Sequence, residues 1–161
     1  PDVFPLAVGE TMVGPFSEEA ALVTHAAESY AIRVTVPDAR RPGGGTGRGG
    51  GLGSGGGLGR GGGTGLVYSG DCGEAGDLRA LIRPGDVLLT EVSFGPGPVP
   101  AGALHLDGPA IGALAAATGV GRVLLTHLQM GFDEGATIAS VRAAGYSGPV
   151  ELVAPGDRFA L

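Results

Sequence analysis

The chain has no lysine, no tryptophan, a single cysteine (Cys72), few other aromatics and no long apolar run. Each shortage excludes something. One cysteine cannot form an intramolecular disulfide, so stability must come from packing, and the chain suits a reducing compartment. No apolar stretch approaches the roughly 18 residues that span a bilayer. No charged-then-apolar leader with a cleavage site opens the sequence. The expectation is a soluble cytoplasmic protein without a membrane partner. Every basic residue is Arg, and the formal charge is −6. An acidic chain lacks the broad basic surface that structured nucleic acids require, which weighs against a large nucleic-acid footprint.

Glycine is what the chain has in excess, with 34 of 161 residues, and most of that excess lies in one run from Gly43 to Gly65. The run has no period that could bury a face, so it cannot offset the entropy of ordering and is expected to be a flexible insertion loop. Gly47-Arg-Gly-Gly and Gly59-Arg-Gly-Gly are similar to the Arg-Gly-Gly segments of RNA-binding proteins. No aromatic interleaves them for base stacking, however. The run is no phosphate loop either, since no Lys-Ser/Thr follows it. The remaining composition fits one domain over residues 1–161. The chain opens on Pro1 in apparent mid-domain, which leads us to expect a fragment of a longer protein.

Before the run, Ala21 to Val36 reads as two strands with a turn near Ala26 to Ser29. Tyr30, Ile32, Val34 and Val36 alternate with Ala31, Arg33 and Thr35, the period of a half-buried strand. After the run, strands alternate with helices. Leu66–Ser69 and Val87–Val92 are strands flanking a short helix over Ala75–Ile82, which Pro84 and Gly85 close. Asp107 can cap a helix with Pro109 in its first turn, and Ile111, Leu114, Ala115 and Thr118 form its buried stripe. Val123–Thr126, a helix over Gly135–Ala144 and a strand at Val150–Val153 complete an α/β pattern.

Four residues stand where chemistry is usually done, each with an ordinary alternative. His127 ends a buried strand and so faces the crevice where α/β proteins bind ligands, or it bonds a loop carbonyl. Asp71, with glycine on both sides of Asp71-Cys72, is pushed into a site by a tight turn, or it caps the next helix. His25 leads into a turn, and His105 precedes the helix that Asp107 caps. Either can be a plain surface residue.

Their order and neighbours carry more than any one position. Val23-Thr-His25 before a Tyr30-Ala-Ile-Arg33 strand, Ser69-Gly-Asp71 after an apolar strand, Thr90-Glu91, His105-Leu-Asp107 and Leu124-Leu-Thr-His127 together resemble the ribonuclease-Z-like branch of the metallo-β-lactamase fold. The resemblance covers nearly the whole chain outside the glycine run. It implies the C-terminal half of an αββα sandwich and a metal-dependent hydrolase of phosphodiesters. It also implies that His25 binds one metal, Asp71 bridges two and His127 binds the second. His105 is then the histidine that protonates the leaving group or stabilises charge at the phosphate, and Glu91 orients it from behind. Imidazole and carboxylate donors suit two divalent cations, zinc first and manganese second. Such a pair acidifies a bridging water and offsets charge on the phosphoryl oxygens.

The sequence departs from the family's pattern in four places. Cys72 replaces the Thr after the bridging Asp, where a small buried residue or a soft extra ligand would serve. Thr90 replaces a His, and Asp107 replaces a Thr. The His-x-His-x-Asp-His motif that supplies most metal ligands is absent from these residues. The substrate implied is a small cyclic nucleotide or a tRNA 3′ end, and the acidic charge favours the smaller. The rival is a non-catalytic half-domain or interaction module, which should expose apolar sheet surface and aggregate or pair into a homodimer.

Overall fold

The computed structural model describes residues 7–36 and 63–159. The expected flexible insertion, apart from its last three glycine and threonine positions, lies outside the described residues. Seven strands and three helices follow in order: β1 (Gly9–Val13), β2 (Phe16–Val23), β3 (Ser29–Thr35), β4 (Leu66–Tyr68), a 3-10 helix (Ala75–Ala80), β5 (Val87–Glu91), α1 (Gly108–Thr118), β6 (Arg122–Thr126), α2 (Glu134–Ala143) and β7 (Val150–Leu152). They form one sheet in sequence order. β1 to β4 pair antiparallel, as hairpins do, and β4 to β7 pair parallel, each crossover carrying a helix.

The helix ends follow their local chemistry. Asp107 Oδ1 accepts from the Ala110 amide at 2.9 Å, and Pro109 sits in the first turn of α1. Gly119 closes α1 in the left-handed conformation at φ 70°, which costs a glycine nothing. Asp133 caps α2 in the same way as Asp107 caps α1. The segment expected as a helix over Ala75–Ile82 is a tighter 3-10 turn that ends at Ala80. Such turns serve as short connectors, and Pro84 stops any continuation. The hairpin of β1 with β2 was not foreseen. Its strand β1 is exposed throughout, so no buried alternation marks it.

Register divides the sheet into two faces. Ala21 pairs with Ala31, Val67 with Leu88, Leu88 with Val123, and Val123 with Val150, so these residues share one side. Against that side pack Leu78 of the 3-10 helix, Ile111, Leu114 and Ala115 of α1, and Val141 of α2, as a single core. The other side carries Leu22, Tyr30, Ile32, Tyr68 and Leu89. Leu22 is 56% exposed and Tyr68 39%. The alternation of Tyr30, Ile32 and Val34 therefore marks the open side of β3, while the small Ala31 faces the core. The described residues thus form a sheet with helices on one side, two of the four layers of an αββα sandwich.

One buried ion pair links the antiparallel and parallel halves. Asp86 is 1% exposed and accepts from Arg33 Nε at 2.7 Å and Nη2 at 2.9 Å. It also accepts from the amides of Gly65 and Arg83, both at 2.8 Å. The last glycine of the run is thereby tied down at the start of β4. The Asp86 bond holds the Arg33 guanidinium above its ordinary pKa, so the guanidinium stays charged. Removing one partner strands a buried charge. Asp86→Ala should lower the unfolding free energy by about 3–5 kcal/mol, read from urea titration of the full chain. A loss below about 1 kcal/mol would show that Arg33 finds other partners or water.

Candidate metal centre

The parallel half of the sheet sets the site. β4, β5 and β6 run side by side in one direction, so their carboxyl ends open onto one crevice, where α/β sheets bind ligands. Asp71 follows β4, Glu91 ends β5 and His127 follows β6. β2 is antiparallel to β3 and β3 to β4, so β2 runs the same way as β4 and delivers His25 to the same edge. Two bonds fix that junction. The Gly73 amide donates to the Thr24 carbonyl at 2.7 Å, and the Thr24 amide donates to Asp77 Oδ2 at 2.8 Å.

The sequence-expected residues meet there. Asp71 Oδ1 lies 3.2 Å from His127 Nδ1. Donor atoms of Asp71, His105 and His127 all fall within 4.8 Å of one another. The His105 ring makes edge contacts with His25 and His127, at centroid distances of 5.2 and 5.8 Å. The Nδ1 of His25 accepts from the Ala27 amide at 3.4 Å, and His25 is not part of the close donor group. Capping does not account for Asp71, since Glu74 occupies the N-cap of the 3-10 helix. Gly70, at φ 60°, makes the turn that presents Asp71, and a Cβ there would meet the Tyr30 carbonyl at 2.6 Å.

Glu91 is the buried anchor of the cluster, 1% exposed. Its Oε1 accepts from the Cys72 amide and from His105 Nδ1, both at 2.8 Å. Its Oε2 accepts from Ser93 Oγ at 2.6 Å and from the Leu106 amide at 3.4 Å. Holding Nδ1 this way fixes the His105 tautomer and leaves Nε2 for the site. Ser93, which sequence reasoning missed, also stands 3.3 Å from His105 Nδ1 and 3.5 Å from His127 Nδ1. Ser93 stands in the turn that follows β5, where no spacing in the sequence singles it out.

One local feature separates this site from an ordinary loop cluster. His127 is a non-glycine residue at φ 56°, a conformation that costs of order 1–3 kcal/mol and collects at functional positions. Cys72, by contrast, points away from chemistry. It is fully buried, its Sγ donates to the Glu74 carbonyl at 3.3 Å, and burial pushes its thiol up to about 11. It fits the role of a small buried residue. Thr90 is buried as well, its hydroxyl donating to the Glu91 carbonyl at 3.1 Å, and Asp107 is occupied as the cap of α1.

This sheet with its one-sided helices matches part of the fold of metallo-β-lactamase proteins. The chain superimposes on a metallo-β-lactamase-fold protein, YhfI from Bacillus subtilis, with a TM-score of 0.68 and 21% identity, covering 89% of this chain and 49% of that one. A candidate zinc-dependent hydrolase of the metallo-β-lactamase superfamily from Thermotoga maritima gives 0.54 and 11%, covering 92% and 70%. No family model matches the sequence. Among curated proteins, an uncharacterised protein of Mycobacterium leprae is 32% identical over 155 residues, 96% of this chain and 44% of that one. An uncharacterised protein of Mycobacterium tuberculosis is 30% identical over 158 residues, 98% and 47%. The chain spans about half the length of these curated relatives.

The state of Cys72 is directly measurable. At pH 8 the folded full chain should react with Ellman's reagent about a hundredfold more slowly than after denaturation, given the raised thiol and its burial. Equal rates would place Cys72 at the surface, against the geometry.

Proposed function

We propose that this chain is part of a metal-dependent hydrolase of phosphodiesters, close to the ribonuclease-Z-like branch, acting on a cyclic nucleotide or a tRNA 3′ end. The observation that carries the reading is the convergence of Asp71, His105 and His127 donor atoms within 4.8 Å, on the crevice side of a metallo-β-lactamase-type sheet. The donor chemistry fits a divalent cation, because imidazole nitrogen and carboxylate oxygen together suit zinc or manganese. His25, Asp71 and His127 would hold two such cations, with Asp71 shared. When bound, the cations supply Lewis acidity and an acidified water beside the phosphate.

The chain's own residues do the rest. Glu91 keeps the Nδ1 proton of His105 in place, and the doubly protonated His105 ring would give its Nε2 proton to the departing oxygen, returning to the neutral Nδ1–H form. Ser93 holds the second oxygen of Glu91 and so steadies the ring. The strained backbone at His127 commits its side chain to the crevice. Three donors are few for two cations, since tight sites use three or four protein ligands each. The described residues alone should therefore bind metal weakly, with further ligands drawn from outside them. The cytoplasm is the compartment consistent with a lone buried thiol. Among the described residues no helix is long and apolar enough to cross a membrane.

A second reading has an observation behind it. His105 belongs to the close donor cluster while His25 does not, and a carboxylate bonded to the far nitrogen is the usual support of a metal-ligating histidine. His105 would then be a ligand.

Variants made in the complete parent protein separate the two readings, with metal content measured by mass spectrometry and turnover on a cyclic nucleotide and a tRNA precursor. Asp71→Ala should lose both metal and turnover. His105→Ala should keep its metal and lose about a hundredfold or more in rate; loss of metal instead selects the second reading. His127→Asn tolerates the left-handed backbone and should hold stability within about 0.5 kcal/mol while metal is lost. Full activity in Asp71→Ala would end the assignment.

A further inference from the structure

A cavity of about 430 Å³ opens beside the cluster, between the 3-10 helix, the loop before α1 and α1 itself. Its size lies in the range of about 300–1,000 Å³ that holds small organic ligands. Of the three clustered donors only His105 also lines this cavity. A molecule whose reacting group sits at the cluster would therefore extend past His105 into it. The walls are small or apolar, formed in part by Val99, Ala113 and Leu114. Two charged residues, Glu74 and Arg79, both exposed, stand at its rim. Among the described residues neither side chain has a hydrogen-bond or ion-pair partner, although both lie within the same short helical segment and its cap.

We infer that this cavity is a nucleoside subsite, with Arg79 and Glu74 as its specificity-determining residues. The inference rests on the phosphodiester reading above and adds which end of the substrate the protein recognises, and how. A nucleobase is a flat, largely apolar body whose edge carries both acceptors and donors. The apolar walls take its faces. The free guanidinium of Arg79 donates to ring nitrogens or a carbonyl, and the free carboxylate of Glu74 accepts from an amino or imino group, the pairings these side chains make with base edges. A cavity of this size takes one nucleoside and no duplex, so the recognised unit is a mononucleotide or one terminal nucleotide of a longer strand.

The test is binding, so that it does not depend on turnover. Calorimetric titration of the full chain with adenosine and guanosine 5′-monophosphates, with and without zinc, is compared with inorganic phosphate. Wild type should bind a mononucleotide more tightly than phosphate. Arg79→Ala should weaken mononucleotide binding about tenfold, the effect of one charge-assisted hydrogen bond. Ala113→Trp, placed at an exposed position of α1, should fill the cavity and abolish mononucleotide binding. Circular dichroism and zinc content, unchanged in both variants, show that the fold and the cluster are intact. The subsite is overturned if wild type binds mononucleotides no better than phosphate up to millimolar concentration. Equal mononucleotide affinity in wild type and both variants overturns it as well. Binding that follows the variants, in a protein that hydrolyses no phosphodiester, supports the subsite and removes the hydrolytic reading instead.

Discussion

Glu91 sits at the end of β5 with almost no exposure, and its two oxygens reach three separate segments of the crevice edge. One oxygen takes the Cys72 amide, which fixes the turn carrying Asp71. The same oxygen takes His105 Nδ1, and the other takes Ser93 and the Leu106 amide. A buried carboxylate is costly unless its lone pairs are met. Here they are, by donors that are themselves parts of the site. The need to satisfy one buried charge therefore dictates where the Asp71 turn, the His105 loop and the start of α1 lie relative to β5. Asp86 does the corresponding work at the other end of the same strand, joining Arg33, Gly65 and Arg83.

The direction of the strands is the second constraint. Parallel β4, β5 and β6 bring residues distant in sequence to one edge, and the double reversal through β3 returns β2 to the same edge. This is why His25, Asp71, Glu91 and His127 can meet although more than a hundred positions separate the first from the last. Local strain adds to it at His127, whose left-handed backbone is held by strand pairing behind it and loop contacts ahead.

Much of this was legible in the residues. Apolar runs and caps located β4 to β7, and Asp107 and Gly119 bound α1 as their chemistry demands. The order of three histidines, one Asp and one Glu singled out residues that the fold brings to one edge, although the close donor set holds His105 where the sequence suggested His25. What sequence could not supply were features set by tertiary packing. β1 shows no alternation because both its sides are exposed, and so it was missed. The pattern of Tyr30, Ile32 and Val34 marks an apolar side of β3, yet the helices cover the opposite side, with Ala31. A period of two tells which residues share a face and not which face is covered. Ser93 escaped notice because a serine has no chemical signature until its neighbours are known. The cavity next to His105 depends on the packing of three elements and could not be read from any of them.

The central proposal is that His25, Asp71 and His127 hold divalent cations through nitrogen and oxygen, with His105 beside them as proton donor and Cys72 left aside as packing. X-ray absorption at the zinc edge, on the zinc-loaded parent protein that supplies the remaining ligands, tests this most directly. The account predicts a first shell of nitrogen and oxygen at about 2.0–2.1 Å, with the outer-shell pattern of imidazole rings. A sulfur scatterer at about 2.3 Å, or zinc surrounded by water alone, would contradict it.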